Sequence, residues 1–236
     1  ADVALVRELT GRDDPVPVVT EPFTEWVLEG EFPGGRPRWE DAGATFTDDI
    51  EPFETRKLYL LNGAHSLLAY AGPARGHETV AEAVRDPEIR AWVEAWWDEA
   101  TSHLTLPAED LAEYRAALLE RFENPQIRHL LTQIEIDGSK KLRERINPTL
   151  RAELEAGRTG EAAIRVLAAW LVHLRSGAEI EDVAADRLAA AAEGDLEEAA
   201  ARVLAVLEPG LDESAHAAVA AHLADTAREL SGRIEA

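Results

Sequence analysis

Three side chains able to move or share a proton fall within one short segment, KLYLLNGAH (Lys57–His65): Lys57, Asn62 and His65. Wound as an α-helix at ~100° per residue, they lie within an arc of roughly 140°, enough to line one wall of a cleft. A lysine in an apolar cleft has its ammonium form disfavoured by desolvation. Its amine can then take the proton of a secondary alcohol as hydride leaves, or return it to a ketone. Asparagine and histidine can offer neutral hydrogen bonds to the oxygen on which charge develops. Two features are odd for a plain amphipathic helix. Asn62 and Gly63 are poor helix formers at its middle. The surrounding Leu58, Leu60, Leu61, Leu67 and Leu68 imply burial, so the polar residues between them need partners. Spacing alone reads first as a solvated lysine beside core-satisfied Asn and His, and second as a catalytic group.

A second cluster is Asp137-Gly138-Ser139-Lys140-Lys141. Its glycine interrupts a helical pattern and two lysines follow. As a pattern it reads first as a helix C-cap with solvated lysines, and second as a turn aiming one lysine into a cleft.

The elements that must position these residues are mostly helical. After a short charged helical stretch, Val16–Glu21 and Glu25–Glu29 read as strands, Gly34, Gly35 and Pro37 mark a loop, and Thr45–Thr47 reads as a third short strand. So few strands form no sheet of their own and suggest edge pieces of a sheet whose body lies elsewhere. From about Glu51 the texture is helical. Pro52 opens a helix that Gly72-Pro73 should stop. Thr79–Leu104 divides at Asp86-Pro87, Asp110–Phe122 follows, and Pro125 suits the first turn of a helix running toward Ile136. Pro148 opens a short helix ended by Gly157, and Ala162–Leu174 is apolar enough to be buried on most sides. The Ala-rich tail reads as Val183–Ala192, Leu196–Leu207 and Glu213–Ile234, without a fixed repeat.

Composition sets limits. The 236 residues suit one large or two small domains, with 46% hydrophobic residues. With no cysteine, disulfides, thiolate catalysis and Cys-based zinc sites are excluded. A net charge of -22 disfavours nucleic acid as a partner, though a local basic pocket for a small anion is compatible with it. No apolar run approaches the ~20 residues of a membrane helix, and no signal peptide opens the chain, which together suggest no membrane partner and a cytoplasmic location. Methionine is absent, initiator included, so the first residue was exposed by trimming or the chain begins mid-protein; the pattern favours the second.

Four stretches resemble the mannitol dehydrogenase family of long-chain polyol and hexuronate oxidoreductases: VVTEPFTEWVLEGEFPGGRPRWEDAGATFTDD (Val18–Asp49), KLYLLNGAHSLLAY (Lys57–Tyr70), RFENPQIRHLLTQIEIDGSKK (Arg121–Lys141) and INPTL (Ile146–Leu150). They cover about half of residues 15–150, and beyond Leu150 only a general helical character remains. The resemblance implies a mainly α fold: a multi-helix C-terminal substrate domain with a few short N-terminal strands. Residues 1–50 would join a Rossmann domain and residues 51–236 would be the helical substrate-binding domain. It implies Lys57 as general acid/base, Asn62 as polariser of the reacting oxygen with a second Asn from the other domain, His65 as a hydrogen bonder to substrate, and Lys141 as the lysine reaching the substrate chain. Gln133 stands where the family pattern has Arg in mannitol 2-dehydrogenases and Gln in fructuronate reductase-like members. The family uses no metal.

The departure is the nucleotide site. No Gly-rich strand–turn–helix fingerprint occurs, and Pro33-Gly34-Gly35-Arg36 lacks that context. NAD or NADP would therefore be bound mainly by the absent N-terminal Rossmann domain of the same protein, and this chain alone would be inactive. The expected substrate is a small sugar, polyol or sugar acid, with fructuronate/mannonate ahead of fructose/mannitol. Two other readings stand beside it: a non-catalytic helical interaction or scaffold module, and a sugar-acid binder that has lost catalysis. The enzyme reading expects Lys57, Asn62, His65 and Lys141 to converge on one cleft, and burial of Lys57 separates it from the scaffold. Trp26, Phe23 and Val18–Val19 are expected to form an exposed apolar patch.

Overall fold

The computed structural model describes residues 3–18, 20–21 and 23–234. A short helix, α1 (Val3–Thr10), precedes two strands, β1 (Trp26–Glu29) and β2 (Ala44–Thr47), with a 3-10 turn at Trp39–Ala42 between them. The strands pair in parallel, Trp26 opposite Ala44 and Glu29 opposite Thr47. A parallel pair cannot be joined by a tight hairpin, so the chain crosses over through Gly30–Gly43. That crossover makes its own small core. Trp39 packs at 5.2 Å from Trp26, 5.8 Å from Phe32 and 6.4 Å from Phe46, with the Arg36 guanidinium 3.4 Å above Phe46.

The helical body begins with α2 (Glu51–Arg56), whose Pro52 lies in the first turn, where its missing N–H is not needed. A π-helical stretch, Lys57–Gly63, runs directly into α3 (Ala64–Ala74). Then come α4 (Val80–Arg85), α5 (Pro87–Thr101), α6 (Ala108–Phe122), α7 (Leu131–Glu135), α8 (Gly138–Arg145), α9 (Asn147–Glu155), α10 (Glu161–Arg175), α11 (Ala185–Ala192), α12 (Leu196–Leu207) and α13 (Glu213–Ile234). The starts follow local chemistry. Thr79 and Glu82 form a reciprocal capping box on α4, Asp86 caps α5 ahead of Pro87, and Asp195 caps α12. α10 has no cap of its own at Gly160. Instead Glu99 of α5 accepts the amide hydrogens of Ala162 and Ala163, each at 2.9 Å.

The centre of the body is α10, buried on nearly every side between α3, α5 and α13. Trp96, Trp97 and Trp170 are buried there with Tyr70, Leu67, Leu68 and Leu167. The fold is mainly α, with short strands near the N-terminus, as the sequence implies.

Several local expectations are corrected. Val16–Glu21 forms no strand among its described residues, and Val19 lies outside them; no neighbouring strand is present to pair with it. Gly72-Pro73 does not stop α3, which continues to Ala74; Pro73 sits in the last turn, where little helix remains to disturb. The helix expected from Pro125 to Ile136 shrinks to α7. Asn124 Oδ1 accepts the Gln126 amide in a local turn, and the next residues pair with the extended Glu78–Val80 stretch: Val80 N–H donates to His129 O, and Leu131 N–H to Glu78 O, each at 3.0 Å. Asp137-Gly138 is not a helix end but the start of α8. Trp26 and Val18 are exposed as expected, Phe23 is half-buried, and Val19 and Pro22 lie outside the described residues.

Candidate active site

The segment carrying Lys57, Asn62 and His65 is not the α-helix its spacing suggests. Over Lys57–Gly63 the backbone is π-helical, with bonds that skip to the fifth residue. The wider turn rotates residues five apart, such as Lys57 and Asn62, nearer to one face than an α-helix would. The cause lies on α5. Trp96 Nε1 donates to the carbonyl of Tyr59 at 2.9 Å, and Trp97 Nε1 donates to that of Leu60 at 2.8 Å. Gly63 makes room for this approach: a Cβ there would stand 2.7 Å from Trp96 Nε1. Its φ of -64° needs no glycine, so the glycine serves clearance alone.

Lys57 is exposed, so the closed cleft expected around it is not formed by this chain's described residues. Asn62 is half-buried. Its carboxamide has no hydrogen-bond partner among the described residues, while its backbone carbonyl accepts from Ser66 Oγ and Arg145 Nη1, each at 3.2 Å. His65 faces Phe122 at 4.8 Å and meets His129 edge-on at 5.1 Å. Burial, then the nearby charges of His129, Arg145 and Arg121, lowers its pKa to about 3, so it is a neutral imidazole at ordinary pH.

His65 lines a cavity of about 60 Å³ with Leu61, Arg121, Phe122, Asn124 and His129. Glu21 reaches its mouth and grips Arg121 through both carboxylate oxygens, at 2.7 to 3.0 Å, while Phe23 lies 4.1 Å from the same guanidinium. Arg121 and His129 are thus neighbours of the site that spacing did not single out, although both lie within the third matching stretch.

Lys141 stands on α8. Its Nζ donates to the Ile134 carbonyl at 2.8 Å, and it is half-buried, while Lys140 beside it is exposed. Burial, with Arg145 adding to it, holds the Lys141 amine below the usual lysine range. The start of α8 explains the Asp-Gly-Ser run. Asp137 adopts φ 55°, a left-handed conformation that Asp tolerates better than most residues. Gly138 leaves space for Trp170 Nε1 and the Tyr70 hydroxyl, each 2.7 Å from where a Cβ would be. Ser139 gives its N–H and Oγ–H to the two oxygens of Asp182, both at 2.7 Å. Gln133 is exposed on α7 and brings no side-chain contact to the group.

Helix α8 and the π-helical stretch therefore meet through Arg145, and His65 opens to the Arg121 side. Lys57, Asn62, His65 and Lys141 do not line one cavity of this chain. A cationic, amide-bearing surface has been gathered here in a chain of net charge -22. Such a surface suits the oxygens of a polar, electron-rich small molecule.

The comparisons agree with this architecture. Residues 49–226 match the family model for the mannitol dehydrogenase C-terminal domain, and the chain belongs to that family. It is 40% identical over 168 residues to a D-mannonate oxidoreductase of Escherichia coli K12, covering 70% of this chain and 35% of that protein. It is 38% identical over 178 residues to a mannitol 2-dehydrogenase of Aspergillus terreus, covering 73% and 36%. Among solved structures, a Pseudomonas fluorescens mannitol 2-dehydrogenase in ternary complex with NAD and D-mannitol superposes with a TM-score of 0.80 at 33% identity. That match covers 99% of this chain and 48% of the other. The chain thus spans about a third of the length of these curated relatives and about half of that solved chain.

Proposed function

We propose that this chain is the substrate-binding half of a nicotinamide-dependent oxidoreductase that interconverts a ketose or keto-uronate with its polyol or aldonate. The observation that carries the reading is the π-helical stretch, which carries both Lys57 and Asn62 with neither side chain hydrogen-bonded among the described residues. An exposed lysine and a half-buried carboxamide left free on one rigid element suit a site that is completed by something else.

When bound, the nicotinamide cofactor would give a hydride to the carbonyl carbon in its reduced form, or take one from the alcohol carbon in its oxidised form. On this reading the nucleotide is held mainly by a Rossmann domain of the same protein; the described two-stranded sheet carries no dinucleotide-binding unit of its own. In the reducing direction, the Lys57 ammonium gives its proton to the oxygen that was the carbonyl, leaving a secondary alcohol and a neutral amine. Asn62 donates to that oxygen as charge gathers, together with an asparagine of the other domain. Neutral His65 donates to a substrate hydroxyl, and Lys141 and Gln133 meet the substrate chain. Fructuronate/mannonate is favoured by Gln133 and by the D-mannonate oxidoreductase relative, with fructose/mannitol next.

The test is to express the chain in one polypeptide with its nucleotide-binding half and follow the absorbance of reduced nicotinamide with D-fructuronate and with D-fructose. Turnover of either, falling about 10²- to 10⁴-fold in Lys57→Ala, supports the reading. A folded protein that turns over neither substrate, or a Lys57→Ala variant with undiminished kcat, overturns it. The exposure of Lys57 also fits a non-catalytic helical module, and the same assay decides against or for that alternative.

A further inference from the structure

We infer that Arg145 is a positioning residue, a strut by which α8, the helix of Lys141, fixes the π-helical stretch that presents Asn62. This rests on the dehydrogenase reading only for its purpose; the geometry stands apart from it. A π-helical stretch survives only where its backbone groups find partners, and three carbonyls of this one receive side-chain donors from other elements. Tyr59 and Leu60 are served by the two tryptophans of α5, and Asn62 by Arg145 of α8.

The arrangement around Asn62 is a closed triangle. Arg145 Nη1 donates to the Asn62 carbonyl and to Ser66 Oγ, each at 3.2 Å, and Ser66 Oγ–H donates to the same carbonyl at 3.2 Å. Ser66 is fully buried. The triangle joins chain positions about eighty residues apart, and so ties the Lys57–Tyr70 stretch to the last residue of α8. Arg145 is half-buried, and no carboxylate stands within ion-pair distance of it among the described residues. In a chain with 46 acidic residues, its guanidinium thus meets a carbonyl and a hydroxyl oxygen where a carboxylate would be the commoner partner. Its positive charge acts on both neighbours: it adds to the burial that holds Lys141 below its usual range, and to the burial and His129 charge that keep His65 neutral. The groups acting on Lys141 besides Arg145 are Asp137, which opposes it; those acting on His65 are His129 and Arg121.

The chain's lysine content makes the test direct. Lysine occurs only at 57, 140 and 141, so reductive methylation with a ¹³C label adds three lysine signals, separate from that of the chain's α-amino group. Arg145→Gln is expected to raise the pH at which Lys141 titrates while leaving Lys140 in place. It is also expected to speed hydrogen exchange of the Trp96 and Trp97 indole N–H groups about tenfold, while those of Trp26 and Trp39 are unaffected. Arg145→Lys keeps the charge but cannot reach Asn62 O and Ser66 Oγ in the same way. It should recover the Lys141 titration and not the indole exchange. An Arg145→Gln variant with unchanged Lys141 titration and unchanged indole exchange overturns the inference, as does an Arg145→Lys variant matching the parent in both. If Arg145→Gln does not fold, the Arg145→Lys exchange rates decide. None of these readouts needs turnover, so failure of the dehydrogenase assay would leave the strut standing, and the reverse.

Discussion

The indole of Trp96 donates to the carbonyl of Tyr59 at 2.9 Å, thirty-seven residues away, and so holds open a turn that local sequence would close into an α-helix. The partner contact, Trp97 to Leu60, repeats the device one residue further on. Two adjacent tryptophans on α5 thus shape the segment that carries Lys57 and Asn62 without touching either side chain's polar end.

Gly63→Ala tests that fit. Alanine in a helical conformation gains roughly 1 kcal/mol over glycine from propensity alone. Here its methyl would collide with Trp96 Nε1. Overpacking of this kind costs about 1–3 kcal/mol, and displacing the indole forfeits about 1 kcal/mol of hydrogen bonding. A net loss of stability in urea titration is expected. A gain would show that Trp96 can move aside freely.

The Ser139–Asp182 contact should govern α8. Asp182→Ala removes two hydrogen bonds at the first turn of the helix, and a stability loss of about 1–2 kcal/mol is expected by thermal unfolding. Asp182→Asn, which keeps an acceptor but not the charge, should lose less. Equal losses would argue that the acceptor geometry matters less than the charge.

His65 makes the fold sensitive to acid. Its folded pKa is near 3 against the ordinary 6.5. The unfolded chain therefore takes up a proton that the folded one refuses, and this contribution to stability falls as pH drops from about 6.5 toward 3. His65→Gln should flatten the stability profile across that window relative to the parent. A profile of identical slope in both proteins would count against a neutral imidazole in the folded state.

Arg121 bears on the same histidine. Arg121→Gln removes one of the charges that depress it, so the His65 titration should move upward, readable by NMR of the ring protons. The same change frees Glu21, and the residues before β1 should become more susceptible to limited proteolysis. Unaltered cleavage would mean that the ion pair from Arg56 to Glu25 suffices to tether them.

Much of this was legible from residue order. The helices after Leu150 carry their 3.6-residue apolar pattern, and α12 its Asp195 cap, so their ends were placed within a few residues. The site segment was recognisable by residue type, but its π-helical form was not, because the tryptophans that impose it lie on another helix. The Asp137-Gly138 pair was misread as a helix end since its partners, Trp170, Tyr70 and Asp182, are distant in sequence. One signal went unused. Of 24 basic residues only three are lysines, and all lie in the two site segments. A chain that elsewhere relies on arginine places its few lysines, compact and flexible ammonium groups, in these two segments alone.

The parallel ribbon of β1 and β2 has a practical consequence. Each strand is four residues long and, among the described residues, paired on one flank only, so the outer rows of N–H and C=O groups have no strand beside them there, next to the exposed Trp26. Open strand flanks are templates for another chain's backbone. Preparations of this polypeptide by itself should therefore age by slow polymerisation seeded at the ribbon, and a lysine in place of the exposed Trp26 should lengthen their shelf life.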